Sequence, residues 1–330
     1  MKGTKGFKIL NTPGSVFSAS LSDKTKKYSS PVTLRKRILR HWQMYLYLIL
    51  PMAYIIIFKY VPMYGLQIAF RDYMIRDGFF NSPWVGLRWF KQFMTSFYFP
   101  RLMKNTVGIS LYSMIAGFFP PIILAIALNE CRLKFFKKAI QLVTYAPYFL
   151  STVVVVAILQ QLLSLTGMGN MLLAKIGIAP ISFLSQASLF QSIYVWSGIW
   201  QTAGYSAIIY LAALTGINPE LHEVAQIDGA NIWQRIWYVD IPGIMPTAII
   251  LFILSAAGVL NVGFEKIYLM YGPLTMETAD VISTYVYRIG LVDMNYGFAT
   301  AVGFFQSAIS LVFMLIVNQI AKKISDISLW

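Results

Sequence analysis

The sequence predicts an all-α polytopic membrane protein with six transmembrane helices. Three observations predict it. Of 330 residues, 57% are hydrophobic and 12% are charged, against about 25% charged in a typical soluble domain. One soluble core of this size cannot hide that much apolar surface, and mean hydropathy is +0.62. Six apolar segments, near 42–61, 106–129, 139–164, 188–214, 241–263 and 298–320, supply the roughly 20 helical residues that cross about 30 Å of hydrocarbon. Finally, the basic residues collect at the ends of these segments. The net charge of +14 suits anionic lipid headgroups, and no basic stripe with interleaved aromatics points to nucleic acid.

In chain order, residues 1–41 form a basic tail with ten Lys or Arg and one Asp. "NTPGS" and "SSP" read as loop. The tail is not a signal peptide, because the apolar run starting at Trp42 is too long for an h-region and no small-residue cleavage site follows it. Residues 42–330 form the transmembrane domain. The connection 62–105 is aromatic and long, and carries six Lys or Arg tempered by Asp72 and Asp77. Within it "WVGLRWFKQFM" is expected to be an amphipathic helix in the interface. The third and fourth spans contain "ILQQLLS" and "GIWQTAGYS", so they are expected to face a bundle interior or cavity. The tail, the short loop 130–138 (Arg132, Lys134, Lys137, Lys138) and Lys322–Lys323 all fall on one side of a six-span chain. By the positive-inside rule both termini are then cytoplasmic.

Several chemistries are excluded. The single cysteine, Cys131, makes no intrachain disulfide. His41 and His222 have no partner at metal-ligand spacing, so no metal site is expected. No phosphate-cradling G-x-x-x-x-G-K-[ST] and no G-x-S-x-G elbow occur. The chain is expected not to be an enzyme and to hold no cofactor of its own.

The topology places a polar stretch, about 216–240, in the cytoplasm between two of the greasiest segments. In it "HEVAQIDGANIWQRIWYVDIP" runs from His222 to Pro242. Asn218–Pro219 is a helix start. Leu221, Val224, Ala225 and Asp228 then share one helical face. Gly229 ends this helix and permits a positive φ. A second short helix with an Ile232–Trp233–Ile236–Trp237 ridge is expected next, with Asp228 a candidate for its cap, before Pro242 opens the following span. Physics alone also allows an ordinary connection with interfacial tryptophans.

"E-V-A-x-x-D-G-A" followed by "I-P" resembles the EAA motif of permeases from binding-protein-dependent ABC importers. Val224 stands for the first alanine, a mild departure. "LNVGFEKIYLMYGPLTMETADVISTYVYRIGL", "NYGFATAVGFFQSAISLVF" and "PWVGLRWFKQF" resemble the polysaccharide and complex-oligosaccharide branch of the carbohydrate class. The resemblance covers most of the chain and implies the type I ABC importer permease fold in a bacterial plasma (inner) membrane. It implies a half-transporter with four kinds of partner: a second homologous permease chain, two ATPase subunits that bind the ATP and Mg, an extracytoplasmic solute-binding protein, and an oligosaccharide. The hairpin would be the helix seated on the ATPase, through Glu223, Ala225, Asp228, Gly229, Ala230 and Pro242. The sugar pathway should be lined by aromatics and amides, for which Gln160, Gln161, Trp200, Gln201, Tyr205, Asn261 and Gln306 are the candidates. Each has a plainer alternative, a helix-to-helix hydrogen bond. Relatives of this branch handle uronic-acid oligomers such as pectin or alginate fragments, and neutral glycans as well. Arg71, Arg88 and Arg288 would suit an anionic chain, and a positive loop near lipid headgroups explains them equally well. The competing class, an ion-coupled secondary transporter of small solutes, lacks its usual buried carboxylate in the spans. A membrane anchor with no transport role is the third reading, mildly disfavoured by the polar-spotted spans.

Overall fold

The computed structural model describes residues 42–325, so the basic tail 1–41 lies outside them. Two compact units divide at Gly65. In the first, α1 (Trp42–Ile55) has no buried residue. It passes through a π turn, Ile56–Tyr60, just ahead of Pro62. Proline lacks an N–H and crowds the carbonyl four residues back, and a widened turn relieves both.

The second unit is a helical bundle. Its connection region folds onto protein: α2 (Arg88–Met94) buries Trp89 and Phe93 among Leu102, Tyr285, Phe298 and Val302. The amphipathic helix expected there exists, but its apolar face packs on the bundle rather than on lipid. The arginines beside it are committed locally. Arg71 donates to the carbonyls of Phe80 and Ser82, at 3.0 and 2.9 Å, and Arg88 lies 3.5 Å from the Asp72 carboxylate.

The spine is α3 (Phe99–Glu130), 32 residues and about 48 Å long at 1.5 Å per residue. Leu102, Ile109 and Ala125 sit in three successive core clusters along it. Near its start, Asn105 donates to the Glu277 and Asp280 carbonyls at 2.8 and 2.9 Å. The Asp280 carboxylate, fully buried, accepts from Arg288 at 2.8 Å and Thr284 at 2.8 Å, with Arg101 3.6 Å away. Burial pulls the Arg288 pKa down, but the hydrogen bond and attraction to Asp280 outweigh it and hold the pKa above its ordinary value.

The third predicted span is broken. α4 (Lys134–Tyr145) passes into a 3-10 turn at Ala146–Phe149, and α5 (Thr152–Leu162) leaves at 106°. Pro147 removes a donor where the helix would continue, and the Ser151 side chain caps α5 by accepting from the Val154 N–H. α6 (Met168–Lys175) follows in a loop held by buried Asn170, which donates to Ser164 and Ile181 carbonyls and accepts from the Ile181 N–H.

α7 (Ala187–Thr215) packs most extensively on α3. The hairpin follows, with α8 (Pro219–Ile227), α9 (Ile232–Arg235) and a π turn, and leads into α10 (Ile241–Ala257). Then come α11 (Phe264–Met270), α12 (Ile282–Tyr287) and α13 (Tyr296–Ser325). The fifth predicted span thus stops at Ala257 rather than 263, and its helix begins at Ile232. Among the described residues, four helices are long and apolar enough to cross a membrane, or five if the bent α4–α5 pair counts as one. α7 is long enough, but its polar residues keep it out of that set.

Candidate functional site

The hairpin is built from local turn chemistry. Asn218 caps α8 by accepting from the Glu220 N–H, and Pro219 follows at its first turn. Gly229 takes φ +76, as the sequence predicts, because α8 must end and reverse there. The next helix is not a separate short one. Its cap is Asn231 rather than Asp228: the Asn231 side chain accepts from Gln234 N–H and the Gln234 side chain accepts from Asn231 N–H. From there α9 runs through the π turn Ile236–Asp240 into α10, with Pro242 at its first turn. Pro242 therefore lies inside a continuous rod. This π turn, like that before Pro62, sits directly ahead of a proline.

One contact ties the hairpin to the bundle, with Arg235 3.3 Å from Glu130, the last residue of α3; within the hairpin, His222 lies 3.5 Å from buried Asp240. Glu223, Asp228 and Gly229 are exposed, while Ala225 and Ala230 are half-buried. Beside them Leu221, Val224 and Ile227 are 54%, 55% and 84% exposed, an apolar stripe at helical spacing with no cover in this chain. Ile227 was not among the face read from the sequence.

The pathway candidates divide. Gln160 donates to the Leu269 carbonyl at 3.4 Å, Gln201 to Leu150 at 3.1 Å, and Gln306 to Leu260 at 2.6 Å. These are the plainer helix-to-neighbour bonds. Tyr205 stacks on Tyr148 with centroids 3.9 Å apart. Gln161, Trp200 and Asn261 are exposed. Gln201 also lines a cavity of about 380 Å³ with Ser113, Thr152, Tyr194, Thr202, Glu265 and Lys266. A second cavity of about 320 Å³ shares Ser113, Gly117 and Thr202 and adds Ser206 and Ser255. The two form one polar-spotted seam between α3 and α7. Sequence reading missed the seam, because Ser and Thr on long apolar helices carry little signal. From the sequence, Glu265 and Lys266 stand only as charges at the outer end of the fifth predicted span, expected to pair with neighbours or to meet the binding protein. Among the described residues, no group of three or more His, Cys, Asp or Glu is placed to hold a metal.

Residues 121–326 match the family described as binding-protein-dependent transport system inner membrane component. The chain belongs to this family. It is a permease subunit of an ATP-driven importer, not an enzyme, which sets aside the ion-coupled and anchor readings. Among its relatives is the polygalacturonan/rhamnogalacturonan transport system permease protein YteP of Bacillus subtilis, 41% identical over 88% of this chain and 92% of that one. The protein LplB of the same organism is 40% identical over 85% and 88%. A chain of a bacterial ABC transporter involved in import of the acidic polysaccharide alginate is 42% identical, with a TM-score of 0.81 over 88% of this chain and 99% of that chain. A bacterial alginate ABC transporter in complex with alginate pentasaccharide-bound periplasmic protein matches with 41% identity and a TM-score of 0.82. The type I importer permease fold is therefore this chain's fold, and the chain is a membrane protein.

Proposed function

We propose that this permease imports a uronic-acid-containing oligosaccharide, pairing with a second permease chain over two ATPase subunits and under a solute-binding protein. The observation that carries the substrate reading is the combination of two relatives above 40% identity, one of alginate importers and one of polygalacturonan importers. Six spans, both termini in the cytoplasm of a bacterial plasma membrane, and a basic cytoplasmic tail at 1–41 complete the arrangement. In it the broken α4–α5 segment counts as one span and polar α7 as another, since a helix facing a partner or a pathway need not be apolar all round.

The hairpin is the coupling element. Leu221, Val224 and Ile227 offer an apolar stripe to a groove on the ATPase, flanked by Glu223 and Asp228. Gly229 turns the chain, and Ala225 and Ala230 keep the crown thin. ATP and Mg belong to the ATPase partner. Rigidity matters because closure of the ATPases must be transmitted, and the continuous rod from Ile232 to Ala257 with the Arg235–Glu130 contact supplies a lever. Each ligand then shifts the transporter only by its differential affinity for the two access states.

The test is reconstitution of the four-chain complex in liposomes with its binding protein, scored for uptake of trigalacturonate and of alginate trisaccharide. Uptake of either, dependent on ATP, is expected. Import restricted to neutral glycans overturns the substrate reading, and failure to co-purify with an ATPase overturns the assembly.

A further inference from the structure

The arginines that the sequence offered for an anionic substrate are spent inside the chain: Arg71 on backbone carbonyls, Arg88 on Asp72, and Arg288 on Asp280. A different cation is left. Lys266, on α11, is 8% exposed, and among the described residues no carboxylate lies within ion-pair distance of it. Its Nζ donates to the Tyr194 carbonyl at 3.1 Å and lies 5.0 Å from the Tyr194 ring centre. The same amine lines the cavity of about 380 Å³ that also holds Thr152, Gln201 and Thr202. Opposite it the helix carries Gly198, where an added Cβ would stand 3.5 Å from Nζ. Gly198 lines the same cavity, so a larger side chain there would stand beside the amine.

We propose that Lys266 is the carboxylate-reading residue of the translocation pathway, receiving a uronate unit in the cavity between α3, α7 and α11. The proposal rests on the uronate reading given above. A buried ammonium satisfied only by one neutral carbonyl and a ring face retains N–H donors for an anion, and a charge-assisted bond to a carboxylate is about twice as strong as a neutral one. Ionisable groups held among membrane helices face interior cavities and mark substrate routes. The sugar hydroxyls would meet the Thr152 and Thr202 hydroxyls and the Gln201 amide, and the Tyr194 ring offers an apolar face. Glu265 lines the same cavity but is exposed, so water screens its repulsion and it remains an acceptor for hydroxyls. Ser206 and Ser255, farther along the seam, provide weaker hydroxyl contacts onward. The arrangement orders capture before release.

The experiment is uptake of trigalacturonate by the complete reconstituted transporter at saturating loaded binding protein. Lys266→Met is expected to lower the saturating uptake rate about tenfold, the equivalent of about 1.4 kcal/mol, without altering the concentration of loaded binding protein that half-saturates it. Lys266→Arg is expected to recover most of the rate. A role in docking would instead move the half-saturating concentration. Gly198→Val keeps the lysine but fills the space before it, and it is expected to slow uptake as well. It decides the matter if Lys266→Met does not assemble. Uptake at the wild-type rate by Lys266→Met, or by Gly198→Val where the former fails to assemble, overturns the proposal while leaving the uronate reading intact. Absence of trigalacturonate uptake by the wild-type transporter overturns both.

Discussion

A valine at position 229 would have to adopt φ +76, a conformation that costs a β-branched residue on the order of 1–3 kcal/mol. No heavy atom lies within 4 Å of a Cβ added there, so the backbone conformation is the main cost within the permease. Gly229→Val should therefore reach the membrane and lose transport, because 1.4 kcal/mol is already about tenfold in a docking affinity. Binding-protein stimulation of the ATPase is the readout, and wild-type stimulation would make the hairpin an ordinary loop. Glu223→Ala should lose less, since it removes one exposed contact and leaves the turn alone. At the other end of α3 the two arginines around Asp280 should also differ. Arg288 hydrogen-bonds the buried carboxylate at 2.8 Å, whereas Arg101 stands off at 3.6 Å. Arg288→Met should cost about 1.5–3 kcal/mol, as for a lost hydrogen bond to a charge. Arg101→Met should cost under about 1 kcal/mol. Thermal inactivation midpoints in detergent give the order, and a lower midpoint for Arg101→Met than for Arg288→Met would contradict this account.

The elements show what sequence patterning reaches. The helix start at Asn218–Pro219 and the turn at Gly229 were legible because each depends on residues within a few positions. The break within the third span was not. "VTYAPYFLSTVVVV" is apolar throughout, so hydropathy runs across the break. What makes the break visible is the packing of α4 against α7. There Gly204 meets Thr144 so closely that a Cβ would fall on the Thr144 carbonyl, and Tyr205 one residue later stacks on Tyr148. The pathway candidates show a related limit. Gln160, Gln201 and Gln306 each donate an amide N–H to a backbone carbonyl that helix or loop geometry leaves free, while Gln201 also lines the cavity. Which carbonyls are free is a tertiary fact. Gly204→Ala is accordingly expected to be severe for so small a change. A backbone cannot swing aside as a side chain can, and overpacking costs about 1–3 kcal/mol or more. The yield of monodisperse protein in detergent should fall sharply. An unaltered yield would mean that α4 and α7 are not in contact.

At the scale of the whole molecule, the side on which each loop lies follows from α3 as much as from charge. Asn105, near its start, donates to the Glu277 carbonyl, and Glu130, at its end, lies 3.3 Å from Arg235 of the hairpin. The 25 residues between those positions rise about 37 Å, more than the roughly 30 Å of hydrocarbon. If α3 crosses the membrane, the segment around Met276 and the hairpin are expected on opposite sides of it, whatever the number of spans elsewhere. The positive-inside rule then predicts which is which. The loop 130–138 next to the hairpin carries Arg132, Lys134, Lys137 and Lys138 and is short enough for the rule to apply. A reporter inserted at Met276 should read as external, and one inserted at Gly229 as cytoplasmic. Fusions after Lys323 and near Leu34, the latter outside the described residues, should also read as cytoplasmic if α4–α5 and α7 each count as one span. Agreement between Met276 and Gly229 would mean that α3 does not cross the membrane. If those two disagreed as expected but the fusion after Lys323 read as external, the error would be confined to the chain after Met276, which holds α12 and α13. The reporter pair thus tests the geometry of the spine separately from the count of spans.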